Sequence, residues 1–213
     1  MPLELWLAYV ATSAIILAIP GPTILLVLSY SISQGRSATM PLVAGVALGD
    51  AVAITLSLIG LGTLLATSAL WFTVIKWLGG LYLIYLGVKL LRGANKPMAM
   101  QSAEAAPLST PRKLFGNAFI VTALNPKSIV FFIALLPQFI SGAHPVTPQL
   151  WILGVTFVVL ATLGATSYAL FASSLRKFLA TPRAQKAYSL FAGGLLCAAG
   201  VWALGARRVI TSA

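Results

Sequence analysis

Two proline motifs interrupt apolar runs that would otherwise be continuous helices, and no other feature narrows the fold so far. The first, Ala18-Ile19-Pro20-Gly21-Pro22-Thr23, lies inside the run Leu5–Ser31; the second, Leu124-Asn125-Pro126-Lys127-Ser128, lies inside Leu114–Ile140. A proline within a helix removes a backbone donor and clashes with the preceding turn, a loss of roughly 3 kcal/mol or more. In hydrocarbon, backbone groups freed in this way are tolerated only where protein or a watery cavity satisfies them. Interrupted spans in corresponding places point to the substrate site of a transporter.

Composition puts these runs in lipid. Of the 213 residues, 59% are hydrophobic and 8% charged, with a mean hydropathy of +0.97; a soluble domain carries about 25% charged residues. Crossing a hydrocarbon core takes about 20 helical residues. Six runs qualify: Leu5–Ser31, Pro41–Leu65, Leu70–Leu91, Leu114–Ile140, Gln149–Ser174 and Ala187–Ala206. They predict an all-α membrane protein of six transmembrane helices, the first and fourth broken. The hydrophilic stretch 93–112 reads as a linker within one transmembrane domain, between halves 1–92 and 113–213. The N-terminal residues lack the positive region of a cleaved signal peptide, so the first run is expected to stay as a span.

The net charge is +11, but the basic residues lie between the apolar runs rather than on one face. That distribution suits loops at an anionic membrane surface and not a nucleic-acid partner. Arg36, Lys89, Arg92, Lys96, Arg112, Lys113, Arg176, Lys177, Arg183 and Lys186 fall in loops that six spans place on one side, whereas Ala66–Ala69 and Ser141–Pro148 contain no Lys or Arg. The positive-inside rule makes the basic side cytoplasmic and both termini periplasmic, with Arg207 and Arg208 dissenting. Trp6, Trp71, Trp77, Trp151 and Trp202 read as interfacial anchors, and Lys76 as a snorkelling residue. The single Cys197 excludes an intrachain disulfide or thiol pair and reads as a packing residue.

The halves also resemble each other. Gly21-Pro22-Thr23-Ile24 sets against Asn125-Pro126-Lys127-Ser128, Gly45-Val46 against Gly154-Val155, and Gly79-Gly80-Leu81 against Gly193-Gly194-Leu195, at offsets of 104, 109 and 114. Three spans per half make the repeat inverted. Gly45-x-x-x-Gly49 permits close helix packing, within one subunit or across a homodimer.

Pro is favoured at the first helical position, with Asn or Gly at the cap before it. Gly21-Pro22 and Asn125-Pro126 each predict the start of a half-helix whose free N–H groups could hold a carboxylate. The candidate substrate-binding residues are therefore Pro20, Gly21, Pro22, Thr23, Asn125, Pro126, Lys127 and Ser128. Asp50 joins them, the only acid deep in a span, where an Asp costs about 2.5–3.5 kcal/mol. Two roles are open for it, counter-charge to a substrate ammonium or carrier of a coupling proton; the plainer alternative is an ion pair with Lys127. Lys127 could equally bind a substrate carboxylate. His144 reads as a solvated loop residue.

At Ile19-Pro20-Gly21-Pro22-Thr23, Gly45 to Gly49, Lys76-Trp77-Leu78-Gly79-Gly80-Leu81-Tyr82-Leu83 with Gly87, Phe115-Gly116, Asn125-Pro126-Lys127 and Leu136-Pro137-Gln138-Phe139, the chain resembles the lysine exporter superfamily. Within it, the resemblance is to the homoserine/threonine resistance branch of bacterial amino-acid exporters. It implies six spans in the inner membrane and proton-driven antiport of amino acids out of the cytoplasm. A single deep acid favours neutral or small hydrophilic amino acids over dibasic ones. Two other classes stand beside this one. A metal-ion exporter of the same superfamily wants several oxygen or sulfur ligands, and a membrane-embedded enzyme wants a nucleophile with a base; the residues are poor in both. No catalytic residue, metal ligand or cofactor is expected.

Overall fold

The computed structural model describes residues 1–19, 21–67, 69–94, 108–172, 174 and 181–205. Pro20, Lys96, Arg176, Lys177, Arg207, Arg208 and most of the linker lie outside them, as do the side chains of Trp71, Lys76 and Trp202. Among the described residues every regular element is helical: α1 Leu3–Ala18, α2 Pro22–Gln34, α3 Thr39–Thr67, α4 Ala69–Arg92, α5 Pro111–Ala123, α6 Pro126–Ala134, α7 Val146–Leu170 and α8 Pro182–Gly205. Short 3₁₀ turns occupy Gly35–Ala38 and Leu136–Phe139.

Each of the six apolar runs carries helix, and both proline motifs interrupt it. Between α1 and α2 the backbone is extended at Ile19 and Gly21, and Pro22 opens α2. Between α5 and α6 the interruption is Leu124-Asn125, with Pro126 opening α6 and a bend of 42°. Two apolar stretches are long enough by themselves to cross a bilayer, Pro22–Gly60 and Val146–Leu170, and the bent pair Pro111–Ala123 with Pro126–Ile133 is a third if taken as one.

Small residues decide which helices touch. A Cβ on Gly45 would come within 2.5 Å of the Phe115 carbonyl oxygen, and one on Gly49 within 2.7 Å of Thr122 Cβ. The Gly45-x-x-x-Gly49 face is thus spent inside the subunit, seating α3 against α5, rather than on a second copy. Between α4 and α8 the contacts are reciprocal. Gly80 faces Gly200 and Gly87 faces Gly193, each added Cβ falling at 2.7–3.1 Å from the opposing glycine's carbonyl oxygen.

An aromatic core lies directly beneath the second break. Phe132 meets Phe157 edge-on at 4.6 Å and Tyr9 meets Phe139 at 5.2 Å, joining α1, α6, the second 3₁₀ turn and α7. The loop before α7 is held by Gln149, which accepts from Ser141 N at 2.8 Å and donates to the carbonyls of Ser141, His144 and Pro145. His144 sits in that loop as expected. Trp6 goes beyond an anchoring role, its Nε1 donating to Thr156 Oγ1 on α7 at 3.1 Å.

The glycine contacts predict a sharp contrast in stability. Gly45→Val should lower resistance to SDS unfolding by about 1–3 kcal/mol, as overpacking does. Gly194→Ala, where an added Cβ meets nothing within 4 Å, should stay level or gain up to about 1 kcal/mol of helix propensity.

Candidate functional site

The two breaks meet. Asn125 caps α6 through its Oδ1, which accepts from Lys127 N at 3.1 Å. Its Nδ2 points the other way and donates to Thr23 Oγ1, in the first turn of α2, at 3.2 Å. Thr122 Oγ1, from the last turn of α5, donates to the same threonine oxygen at 3.3 Å. Thr23, Thr122, Asn125 and Ser128 are all buried. The cap predicted for Asn125-Pro126 is therefore present, and its spare amide group stitches one break to the other.

Lys127 completes the connection with charge. Its ammonium donates to the carbonyl oxygens of Ile16 at 3.0 Å and Ile19 at 2.7 Å. These oxygens lie at the C-terminal end of α1, where the helix dipole is negative; the Ile16 carbonyl also accepts from Ile19 N at 3.2 Å, and Ile19 is the residue that caps the helix. Gly21 runs past the same ammonium, a Cβ there falling 3.5 Å from Nζ. Two tyrosines close the remainder of that end: Tyr168 on α7 donates to the Ala18 carbonyl at 2.7 Å, and Tyr188 on α8 donates to the same oxygen.

Asp50 stands differently from the ion pair weighed above. It is buried on α3, 3% exposed. Among the described residues no hydrogen bond or direct ion pair reaches its carboxylate, and Lys127 influences it only through space. The lysine ammonium has gone to backbone oxygens instead, because the break in α1 supplies several at once. Among the described residues no three of His, Cys, Asp and Glu come together.

Two clefts lie beside these helices. One of about 420 Å3 between α3 and α7 is lined by Ile54, Leu58, Leu150, Trp151 and Val155 and is apolar throughout most of its wall. Another, about 430 Å3, runs between α1 and α7 and reaches Ala18 and Tyr168 at the first break.

Most of the residues expected from sequence converge here: Gly21, Thr23, Asn125 and Lys127 by contact, Pro22 and Pro126 as the first residues of α2 and α6, Ser128 by burial in the first turn of α6, and Asp50 by burial on α3, which packs against α6. Pro20 lies outside the described residues. Tyr168, Tyr188, Thr122 and the carbonyls of α1 were not anticipated. A phenol in a run that needs only aliphatic side chains is the one signal that could have marked the tyrosines.

Fold and centre together define a helical protein with interrupted apolar helices joined at a buried polar junction. Residues 14–206 match the LysE type translocator family. A homoserine/homoserine lactone efflux protein of Salmonella typhimurium is 36% identical over 98% of this chain and 100% of its own length. An uncharacterized membrane protein of Vibrio cholerae is 33% identical over 94% of this chain and 97% of its own. No solved structure matches. The chain belongs to the LysE type translocator family, and is a membrane protein.

The junction is testable without substrate. Asn125→Ala removes a cap and a buried cross-link together, and should cost about 1–2 kcal/mol in SDS unfolding, the upper range for a lost N-cap. Leu124→Ala, at a site that is 71% exposed, should stay within about 0.5 kcal/mol.

Proposed function

We propose that this protein is a secondary exporter of free amino acids, carrying neutral or small hydrophilic substrates out of the cytoplasm in exchange for protons. The observation that carries the reading is the meeting of the two breaks: two helix starts and one helix end, all with backbone groups outside the regular ladder, gather at one buried point. Such a point offers amide donors for a carboxylate and oxygens for an ammonium. Gly21–Thr23 and Asn125–Ser128 form the carboxylate side of the site, and Asp50 supplies the one buried acid among the described residues able to carry a coupling proton or face a cation. The Salmonella relatives are named for efflux of homoserine and homoserine lactone, and we take a homoserine-like amino acid as the substrate here.

The same reading makes the architecture six spans in two inverted three-helix repeats, residues 1–92 and 113–213, with the linker 93–112 cytoplasmic and both termini periplasmic in a bacterial inner membrane. The contacts of Gly80 with Gly200 and Gly87 with Gly193 support it to the extent that they make α4 and α8 antiparallel neighbours, as the last helices of two oppositely inserted halves would be. Alternating access then follows from one half rocking against the other about the joined breaks.

Proteoliposomes with an imposed pH gradient and labelled L-homoserine test this directly. The wild-type protein should accumulate the label while the gradient lasts, and folded protein moving no amino acid would end the reading. Asp50→Asn should abolish gradient-driven accumulation but keep homoserine–homoserine exchange. Loss of exchange as well would assign Asp50 to substrate contact instead of the proton.

A further inference from the structure

An ammonium group already sits among the oxygens at the end of α1, and it belongs to the protein. Lys127 Nζ bonds the Ile16 and Ile19 carbonyls at 3.0 and 2.7 Å. The α-ammonium of an amino acid is the same chemical group, a compact cation with three donors. Next to this negative helix end lie the positive starts of α2 and α6, tied together by the Thr23–Asn125 bond. Opposite poles side by side suit a zwitterion, ammonium on the α1 oxygens and carboxylate on the helix starts.

Asp50 adds a second, independent observation. It is a buried carboxylate that no hydrogen bond or direct ion pair reaches among the described residues, on a helix that packs against α6. Lys127 carries its charge on a flexible four-carbon stem. One lysine thus has two places to put its charge, the α1 oxygens that it now bonds and the Asp50 carboxylate on the adjoining helix α3.

We propose that the Ile16 and Ile19 carbonyl oxygens are the seat of the substrate's α-ammonium group, and that Lys127 is a tethered stand-in that leaves this seat for Asp50 when substrate arrives. The inference rests on the amino-acid export reading and adds which group of the substrate is recognised, and by what. The exchange adds no net charge, because the substrate is a zwitterion, and it gives Asp50 the partner that it lacks without substrate. Without substrate, Lys127 satisfies the α1 end. With substrate, its ammonium takes over that duty, Lys127 pairs with Asp50, and the substrate carboxylate meets the starts of α2 and α6. Tyr168 and Tyr188 stay on Ala18, so the seat keeps its shape as its occupant changes. A free primary ammonium becomes the requirement for binding.

Thermal stabilisation of the purified full chain by L-homoserine and by 4-hydroxybutanoate, which lacks the amino group, tests the seat. Homoserine should stabilise the wild type and 4-hydroxybutanoate should not. Lys127→Met removes the competitor, so homoserine should reach the same shift at a several-fold lower concentration. Equal shifts from the two compounds, or folded Lys127→Met binding homoserine no better than wild type, would overturn the proposal. A measurement on the unaltered chain guards against a variant that does not fold. With lysine side chains labelled at nitrogen, and the Lys127 resonance assigned by its absence in Lys127→Arg, saturating homoserine should move that resonance. If homoserine binds and the resonance stays put, the stand-in fails while the exporter reading survives. If the wild type binds no amino acid, both fall.

Discussion

A helix interrupted inside hydrocarbon leaves backbone groups that water cannot reach, and satisfying them governs how this chain is arranged. Each such group costs several kcal/mol if left bare, more than a typical hydrogen bond returns, about 0.5–1.5 kcal/mol. The chain answers at the first break with a side chain from the second. Lys127, just after the second break, covers carbonyls before the first, and Asn125 ties its own side chain to that of Thr23 just after it. The first interruption is not self-sufficient. A mutation at one should therefore be felt at the other, and motion at one is transmitted to the other through three named side chains.

The rest of the fold holds these ends together. Glycines at 45 and 49 bring α3 close to α5, which delivers Asp50 to the neighbourhood of the junction and Thr122 to Thr23. The aromatic cluster of Tyr9, Phe131, Phe132, Phe139 and Phe157 fixes α6 against α1 and α7. Polar chemistry in lipid needs a rigid apolar setting, and here Phe131, Phe132 and Phe139, all fully buried, supply it after the second break.

Much of this was legible in the sequence because its causes are local. Proline after glycine or asparagine announces a helix start, and Pro22 and Pro126 occupy that first position. Hydropathy places the helices to within a few residues, and Gly45 and Gly49 announce a close approach, though not which helix approaches. What stayed hidden depends on reach in three dimensions. The sequence offers Lys127 an ion pair with Asp50 as one role among several, because opposite charges in lipid attract, yet nothing local reveals that the end of α1 offers oxygens to the same ammonium. Tyr168 and Tyr188 converge on Ala18 from 150 and 170 residues away. No periodicity encodes a contact of that separation, and a phenol near a span end reads first as an interfacial residue.

The central claim is that substrate occupies the junction between the breaks rather than the apolar clefts beside it. A photoreactive homoserine analogue with its amino and carboxyl groups free, activated on the wild-type protein in liposomes and mapped by mass spectrometry, addresses it most directly. The account predicts adducts confined to peptides containing Ile16–Thr23 and Leu124–Ser128, suppressed by excess homoserine. Competable adducts on the walls of the α3–α7 cleft, with the two break peptides unlabelled, would contradict it.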